Sequence, residues 1–249
     1  MDASAIDAAA TVLIALREST TPIDRLPDEM RPPDLAAGYA VQAAVRQRRG
    51  PYAGWKIGCT TAVMQRYLGI SHPCAGGIRV EDVHLHHLRL DPSRHRRLGV
   101  ECEIAVRLGA SLTGVVSAAT AAAAIASVHP AIEVVEDRYI DWPTLDLPTM
   151  VADDFFHRAV VLGPALDAGS LADLPGRLCH TGHPDATGAG RDILGDPLAA
   201  LVWLAGHTPL QAGALVLLGS LVKTQWLVPG DEVLAEVGGA SVQVSVAAP

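Results

Sequence analysis

Residues 100–106 read VECEIAV, a run in which two glutamates alternate with apolar residues. Because successive side chains of a β-strand point to opposite faces, this alternation predicts a strand with one apolar face. Glu101 and Glu103 would then share the other face, about 7 Å apart along the strand. The stretch therefore predicts a core strand that carries two neighbouring carboxylates.

Carboxylates this close repel each other, and a hard divalent cation would relieve the repulsion by binding their oxygens. A third carboxylate is available at Glu133, inside the apolar run PAIEVV at 130–135, where an unpaired charge would be costly. Two further acids, Glu136 and Asp137, lie nearer a polar turn, where solvent or pairing with Arg138 accounts for them. The pattern indicates a metal site at Glu101, Glu103 and Glu133. The alternative is a solvent-facing strand that is merely acidic.

Lysine is scarce in this chain, which has only Lys56 and Lys223 among its 19 basic residues. Lys56 lies between glycines in the apolar run GWKIG at 54–58. A partly buried lysine can lose its proton, whereas an arginine effectively cannot. Lys56 is therefore a candidate for proton transfer or enolate stabilisation. The alternative is a surface lysine whose stem lies along apolar groups.

Charge and composition limit the classes of partner. Acidic residues outnumber basic ones, 27 against 19, for a formal net charge of -8. Binding to nucleic acid is disfavoured, because phosphate recognition needs a basic face. The apolar runs are too short for a membrane span, and the acidic start of the chain differs from a signal peptide. With no C-x-x-C pair among the four cysteines, we expect a soluble, cytoplasmic protein.

Helical periodicity predicts two helices at the start of the chain, over 4–17 and 34–49. Gly50 and Pro51 would end the second helix. Together the two helices predict an N-terminal helical cap over residues 1–50.

Beyond the cap, short β-branched runs alternate with Gly, Pro and Asp turns. Further strands are predicted at 130–139, 160–162 and 214–218, and further helices at 117–128 and near 195–207. The runs 232–237 and 241–246 flank Gly238-Gly239, a hairpin signal because glycine accepts the positive φ of a tight turn. We therefore predict an α+β fold with a β-rich catalytic domain over residues 51–249.

These pieces occur in an order that resembles the fumarylacetoacetate hydrolase superfamily, and within it the 2-oxopent-4-enoate hydratases and the related 4-oxalocrotonate decarboxylases. The matching pieces are GWKIG at 54–58, LGI at 68–70, VECEIA at 100–105, PAIEVV at 130–135, VAD at 151–153, GAG at 188–190, LGDPL at 194–198, GSL at 219–221 and PGD at 229–231. They extend over about residues 35 to 245. The ordered set is specific to the superfamily, although no single piece is.

The resemblance implies a fold like the C-terminal domain of fumarylacetoacetase, a mixed β-roll with short helices. It implies Mg²⁺ or Mn²⁺ held by Glu101, Glu103 and Glu133, where the metal chelates the carboxylate and 2-oxo group of a small 2-oxo acid. It maps the lysine of the family to Lys56. It also implies a homo-oligomer that acts in aromatic-compound degradation, in some cases complexed with a related enzyme of the same pathway.

The same resemblance gives the candidates for substrate binding. The GSL turn places Gly219 and Ser220 where relatives hold the substrate carboxylate, and Asp153 of the VAD piece is the third candidate.

Two departures from the family pattern affect the expected site. Cys74 stands where hydratases often carry the acid that partners the lysine. Relatives commonly read ADNAS where this chain has ADDFF at 152–156, so the site wall would be bulkier. Asp154 and His157 are then candidates to supply other polar groups.

The first choice of activity is a hydratase that adds water to 2-hydroxypenta-2,4-dienoate or a substituted analogue. The alternatives are decarboxylation of a 2-oxo diacid, C–C hydrolysis of an acylpyruvate, and a non-catalytic partner subunit. All three reactions begin with a chelated 2-oxo acid, so the metal site alone does not separate them.

Overall fold

The protein, described here over residues 1–248 by a computed structural model, combines helices and strands. Its helices are α1 (Ala3–Arg17), α2 (Leu35–Arg48), α3 (Ala62–Leu68), α4 (Ala118–Ala123), α5 (Leu147–Ala152) and α6 (Pro197–His207). Its strands are β1 (Tyr52–Gly58), β2 (Cys74–Arg79), β3 (Val83–Leu85), β4 (His87–Leu90), β5 (Leu98–Leu108), β6 (Ile125–Glu136), β7 (His157–Leu162), β8 (Pro175–His180), β9 (Ala186–Ala189), β10 (Leu215–Ser220), β11 (Gln225–Trp226), β12 (Glu232–Val237) and β13 (Ala240–Val246). Within this range, each helix is too short or too polar to cross a membrane.

The strands form two sheets, and the main core contains side chains from both. The larger sheet has the order β2-β1-β10-β5-β6-β7-β3, with β11 paired to β5. The smaller sheet has the order β4-β13-β12-β8-β9. Apolar side chains of β5 and β6 pack with those of β12 and β13 in one buried cluster. The predicted α+β architecture with a mainly β core is confirmed.

Strand β5 lies at the centre of the larger sheet, between β10 and β6. The apolar residues of its alternating pattern are fully buried, as the sequence predicts. Its second face is also largely buried, so the acidic strand does not face solvent. Glu103, on that second face, is only 1% exposed. The solvent-facing alternative for this strand is therefore wrong.

The hairpin of β12 and β13 is also confirmed. Its two central residues, Gly238 and Gly239, have φ of 58° and 87°. Residues with side chains rarely adopt this left-handed conformation, so the two glycines set the turn and hence the antiparallel register.

The N-terminal helices α1 and α2 pack against each other, and α2 also packs against α5. Asp2 and Asp34 cap their first turns by accepting a backbone N–H. At the α2–α5 contact, a Cβ on Gly38 would lie 2.6 Å from the carbonyl oxygen of Pro148, so the helices approach as closely as glycine permits. Both predicted helices are confirmed, and the domain boundary at residue 50 stays a prediction.

The helix predicted over 117–128 is wrong in its second half. Helix α4 ends at Ala123, and β6 begins at Ile125. Ser127 pairs with Arg107 on the neighbouring β5. The hydrogen bonds and burial gained by extending the β5–β6 ladder outweigh the helical preference of the alanine-rich stretch.

Candidate metal centre

Three glutamates from two paired strands converge on one face of the larger sheet. Glu101 and Glu103 lie on β5, and Glu133 on β6 pairs directly with Glu101 in the antiparallel register. One carboxylate oxygen from each of the three lies within 4.8 Å of the other two. Glu103 and Glu133 are each 1% exposed. These three residues are called the glutamate cluster below.

The glutamate cluster holds more negative charge than its surroundings balance. Burial and the nearby Glu133 raise the pKa of Glu101, and burial with both neighbours raises the pKa of Glu103 well above its usual range. Burial also acts to raise the pKa of Glu133, but Lys56 and His157 outweigh it and the pKa is lowered. An all-oxygen donor set with uncompensated charge suits a hard divalent cation such as Mg²⁺ or Mn²⁺.

Backbone and hydroxyl groups orient two of the glutamates. The N–H of Gly219 donates to Glu103 Oε2 at 3.1 Å, and the hydroxyl of Thr224 donates to Glu101. Gly219 has φ of 129°, and a Cβ there would lie 2.4 Å from the hydroxyl oxygen of Thr60. Only glycine fits this position, at the irregularity where β10 meets β5.

The GSL turn thus borders the glutamate cluster. The hydroxyl of Ser220 donates to the carbonyl oxygen of Val222 at 2.6 Å, and Ser220 pairs with Glu103 in the sheet register. Contact of Gly219 and Ser220 with a substrate carboxylate stays a prediction.

Lys56 lies on β1 of the same sheet, beside the glutamate cluster. Its Nζ is 3.4 Å from Glu133 Oε1 and donates to the carbonyl oxygen of Phe155 at 3.4 Å. Gly76, opposite Lys56 on β2, leaves room for the lysine stem, because a Cβ there would lie 3.1 Å from Lys56 Cε. Lys223, by contrast, is exposed.

The charge state of Lys56 is set by two opposing effects. Burial acts to lower its pKa, but the attraction of Glu133, Glu101 and Glu103 outweighs burial, so the pKa is raised. Lys56 is therefore an ammonium group in the metal-free protein. A bound divalent cation would offset the carboxylate charge and weaken the attraction that holds the proton on Lys56.

Cys74 is fully buried at the start of β2, opposite Gly58. A hydrogen bond with Cys59, together with burial, raises the pKa of the Cys74 thiol. The thiol is therefore neutral and does not replace the charge of the acid that relatives often carry here. The compensating negative charge around Lys56 comes from the glutamate cluster instead.

Asp153, the third predicted substrate-binding residue, lies in a buried ion network. Its Oδ1 is 2.9 Å from an Arg17 nitrogen, and its Oδ2 is 3.0 Å from Arg138. The hydroxyl of Tyr139 also donates to Oδ2, at 3.4 Å. Each carboxylate oxygen lies within 3.0 Å of an arginine nitrogen, although Oδ1 accepts no hydrogen bond. This ion pairing favours a structural role for Asp153, and its contact with substrate stays a prediction.

The segment after Asp153 adopts an unusual backbone conformation. Asp154, Phe155 and Phe156 have φ of 50°, 50° and 65°, three consecutive non-glycine residues in the left-handed region. Such residues cost roughly 1–2 kcal/mol each, so other contacts must hold them. Asp154 supplies these contacts by pairing with Arg17 at 2.9 Å and accepting the N–H of Gly77 at 2.8 Å. Asp154, a candidate polar group of the site, therefore anchors the turn.

His157 follows this left-handed turn and reaches the glutamate cluster. Its Nδ1–H donates to Glu133 Oε1 at 2.7 Å, and the residue is 2% exposed. His157 is predicted as a candidate polar group of the site, but its pairing with Glu133 is not predicted from the sequence. The signal in the sequence is the position of His157 next to a segment that departs from the family pattern.

Known proteins resemble this chain in sequence and in fold. Residues 80–246 match the model of the fumarylacetoacetate hydrolase C-terminal family. A 2-keto-4-pentenoate hydratase from Paraburkholderia xenovorans (strain LB400) is 34% identical over 245 residues, which cover 93% of this chain and 90% of the relative. A 4-oxalocrotonate decarboxylase from a Pseudomonas species is 29% identical over 212 residues, covering 82% of this chain and 79% of that one.

Among solved structures, the 4-oxalocrotonate decarboxylase from Pseudomonas putida G7, complexed with magnesium and adipate, superposes with a TM-score of 0.92. The match covers 99% of this chain and 98% of that one at 23% sequence identity, and it shows a shared fold. The family match, which contains all three members of the glutamate cluster, and the relatives of similar length lead to one conclusion. The chain belongs to the fumarylacetoacetate hydrolase family.

Proposed function

We propose that this chain is a divalent-metal-dependent hydro-lyase, which adds water to 2-hydroxypenta-2,4-dienoate or a substituted analogue and yields a 4-hydroxy-2-oxo acid. The observation that carries the proposal is the convergence of Glu101, Glu103 and Glu133 beside the buried ammonium of Lys56. The hydratase names of the relatives that match over most of the chain support this choice of reaction.

The glutamate cluster would hold Mg²⁺ or Mn²⁺, the ions that best suit three carboxylates. A cation bound there would polarise the 2-oxo group of a chelated substrate and stabilise the enolate. Solved relatives complexed with magnesium or Mn²⁺ support this assignment. We further propose that the chain forms a homo-oligomer, as the family resemblance implies.

The reaction needs one proton relocation and one addition of water. The 2-hydroxyl proton leaves and a proton joins C5, which converts the dienol to an α,β-unsaturated 2-oxo acid. Water then adds across the remaining double bond, with its oxygen at C4 and a proton at C3. Lys56 would steady the enolate through its charge and relay a proton, because its Nζ lies at the edge of the glutamate cluster.

The remaining contacts would bind and shield the substrate. Gly219 and Ser220 border the cluster and are the proposed contacts of the substrate carboxylate. The ring of Phe155 has its centroid 5.4 Å from Lys56 Nζ and forms an apolar wall beside the ammonium. This wall would exclude water from Lys56 and would favour a substrate tail with apolar character.

The reaction is tested by following three substrates with purified protein and Mg²⁺. They are 2-hydroxypenta-2,4-dienoate, 2-oxohex-3-enedioate and an acylpyruvate. We expect loss of the ultraviolet absorbance of the dienoate and formation of 4-hydroxy-2-oxopentanoate without CO₂. Glu101→Gln should abolish turnover, whereas Glu232→Gln, which changes an exposed glutamate on β12, should not.

Other outcomes would replace the proposal. CO₂ release from the diacid without hydration of the dienoate would identify a decarboxylase. Pyruvate release from the acylpyruvate would identify a C–C hydrolase. A protein that binds metal but acts on none of the three would be either a non-catalytic partner subunit or an enzyme whose substrate lies outside this panel.

A further inference from the structure

His157 has the geometry of a residue that acts through a metal ligand. Its Nδ1 lies 2.7 Å from Glu133 Oε1, which is shorter than a usual N–H···O contact between neutral groups. Both residues are almost completely buried, so water does not compete for this hydrogen bond. The other ring nitrogen, Nε2, is buried and has no hydrogen-bond partner among the described residues. The contact with Glu133 is therefore the hydrogen bond that fixes the imidazole ring.

Glu133 Oε1 has a second neighbour, the ammonium group of Lys56, but at a longer distance. Lys56 Nζ is 3.4 Å away, and its other contact, to the carbonyl oxygen of Phe155, is also 3.4 Å. Neither contact of the ammonium is short, whereas the His157 contact is. His157 thus satisfies Oε1 and leaves Oε2 of Glu133 available to a cation. Lys56 is therefore the more distant of the two neighbours of Oε1.

The backbone conformation before His157 directs its imidazole ring towards Glu133. Three left-handed residues in succession redirect the chain from α5 into β7, and His157 is the first residue of β7. Arg17 and the N–H of Gly77 hold this turn through Asp154. Arg138 donates to the carbonyl oxygen of His157 itself at 2.9 Å. Such strain persists where surrounding contacts determine the conformation, often next to functional groups.

We propose that His157 is a positioning residue that holds Glu133 through its Nδ1–H, so that Glu133 binds the cation through Oε2 and Lys56 stays free to face the substrate. The inference rests on the proposed metal site of the glutamate cluster. Partners that orient a ligand in this way typically change metal affinity by about 10- to 100-fold when they are removed.

The test measures Mn²⁺ affinity of the full chain by titration calorimetry, with free Mn²⁺ followed by electron paramagnetic resonance. His157→Leu should weaken Mn²⁺ binding by about 10- to 100-fold. His157→Asn should stay close to the wild type, because the amide of asparagine donates from nearly the same position as Nδ1. His183→Leu, at an exposed histidine on the loop after β8, controls for binding of Mn²⁺ to surface imidazoles.

If His157→Leu does not fold, His157→Gln replaces it. Glutamine fills the site with a polar group, but its amide lies one bond further out, so it should bind Mn²⁺ more weakly than His157→Asn. A merely structural histidine would lower Tm in EDTA without separating the asparagine variant from the other two in Mn²⁺ affinity.

The outcomes separate this inference from the proposed function. Wild-type protein that binds no Mn²⁺ would overturn both. Wild-type binding together with equal binding by folded His157→Leu or His157→Gln would overturn the positioning role and leave the metal site standing. Weak binding by His157→Asn would also overturn it, because the donor would then not be what matters.

Discussion

Replacing Glu103 with glutamine should have opposite effects on metal binding and on the stability of the metal-free protein. Glu103 is buried, accepts the N–H of Gly219 and lies against two other carboxylates. Glutamine keeps the size of the side chain and an oxygen for Gly219, but it removes the charge. The variant therefore loses a ligand for the cation and, in the same step, loses a source of repulsion.

The size of each effect follows from the geometry. At an effective dielectric constant of about 20, two unit charges 4.8 Å apart repel by about 3 kcal/mol. The net effect is smaller than this repulsion, because burial and both neighbouring glutamates raise the pKa of Glu103 and because the variant also loses the attraction of Lys56. We therefore expect the metal-free variant to gain on the order of 1 kcal/mol, or about 2–4 °C in Tm. By contrast, Mn²⁺ at about 100 times its Kd would stabilise the wild type by about 2.7 kcal/mol.

Differential scanning calorimetry in EDTA and in Mn²⁺ measures both effects. For the wild type, 2.7 kcal/mol corresponds to a rise in Tm of about 5–10 °C on adding Mn²⁺. For Glu103→Gln we expect a small rise in EDTA and almost no response to Mn²⁺. Glu232→Gln, at an exposed position, should behave as the wild type does in both conditions. If Mn²⁺ raises the Tm of Glu103→Gln as much as that of the wild type, the glutamate cluster is not the metal site.

Three further predictions concern Lys56, pH and the site wall. Lys56→Ala should lower kcat by about 100-fold or more, and Lys56→Arg should not restore kcat. Lys223→Ala should change kcat little. Near-wild-type turnover by Lys56→Ala would show that Lys56 is structural. Because the pKa values of Glu101 and Glu103 are raised, protons compete with the cation, so Mn²⁺ affinity should fall as the pH falls through those pKa values. Calorimetry in buffers of different ionisation enthalpy should detect the protons that Mn²⁺ releases. A Mn²⁺ affinity that does not change with pH would contradict this. Each apolar methylene added at C5 of the substrate should raise kcat/KM by up to about 4-fold, from about 0.8 kcal/mol per methylene. Phe155→Ala should remove that gain. If Phe155→Ala shows the same gain in kcat/KM per methylene as the wild type, the ring of Phe155 does not form the apolar wall.

Local sequence patterns predict many of the helices and strands, because periodicity and turn residues depend on neighbouring positions in the chain. The alternation in β5 follows from the two-residue period of a strand, and Gly238-Gly239 sets its hairpin through φ alone. The same period places Glu101 and Glu103 on one face. Where a distant partner decides the outcome, local patterns fail. The alanine-rich stretch before Ile125 predicts a longer helix than the one that forms, because pairing with β5 is not visible in its own sequence.

The residues of the site likewise include some that local sequence predicts and others whose positions depend on distant contacts. The apolar surroundings of Glu133 predict it as a ligand, but its position opposite Glu101 depends on the β5–β6 register, which no local pattern contains. The ion pairs of Asp153 with Arg17 and Arg138 join three distant parts of the chain. The hydrogen bond of His157 depends on a left-handed turn, and non-glycine residues give no local signal for that conformation.

The pairing of Arg17 with Asp153 and Asp154 couples the stability of α1 to the geometry of the glutamate cluster. If α1 unfolded locally, two carboxylates that are completely buried would lose their shared cation, at a cost of roughly 3–5 kcal/mol. The left-handed turn would then relax, and His157 would move away from Glu133. Linkage is reciprocal, so an ion held by Glu133 must in turn oppose the opening of α1. Amide protons of α1 should consequently exchange with solvent more slowly when the ion is bound, although this helix contributes no ligand to it.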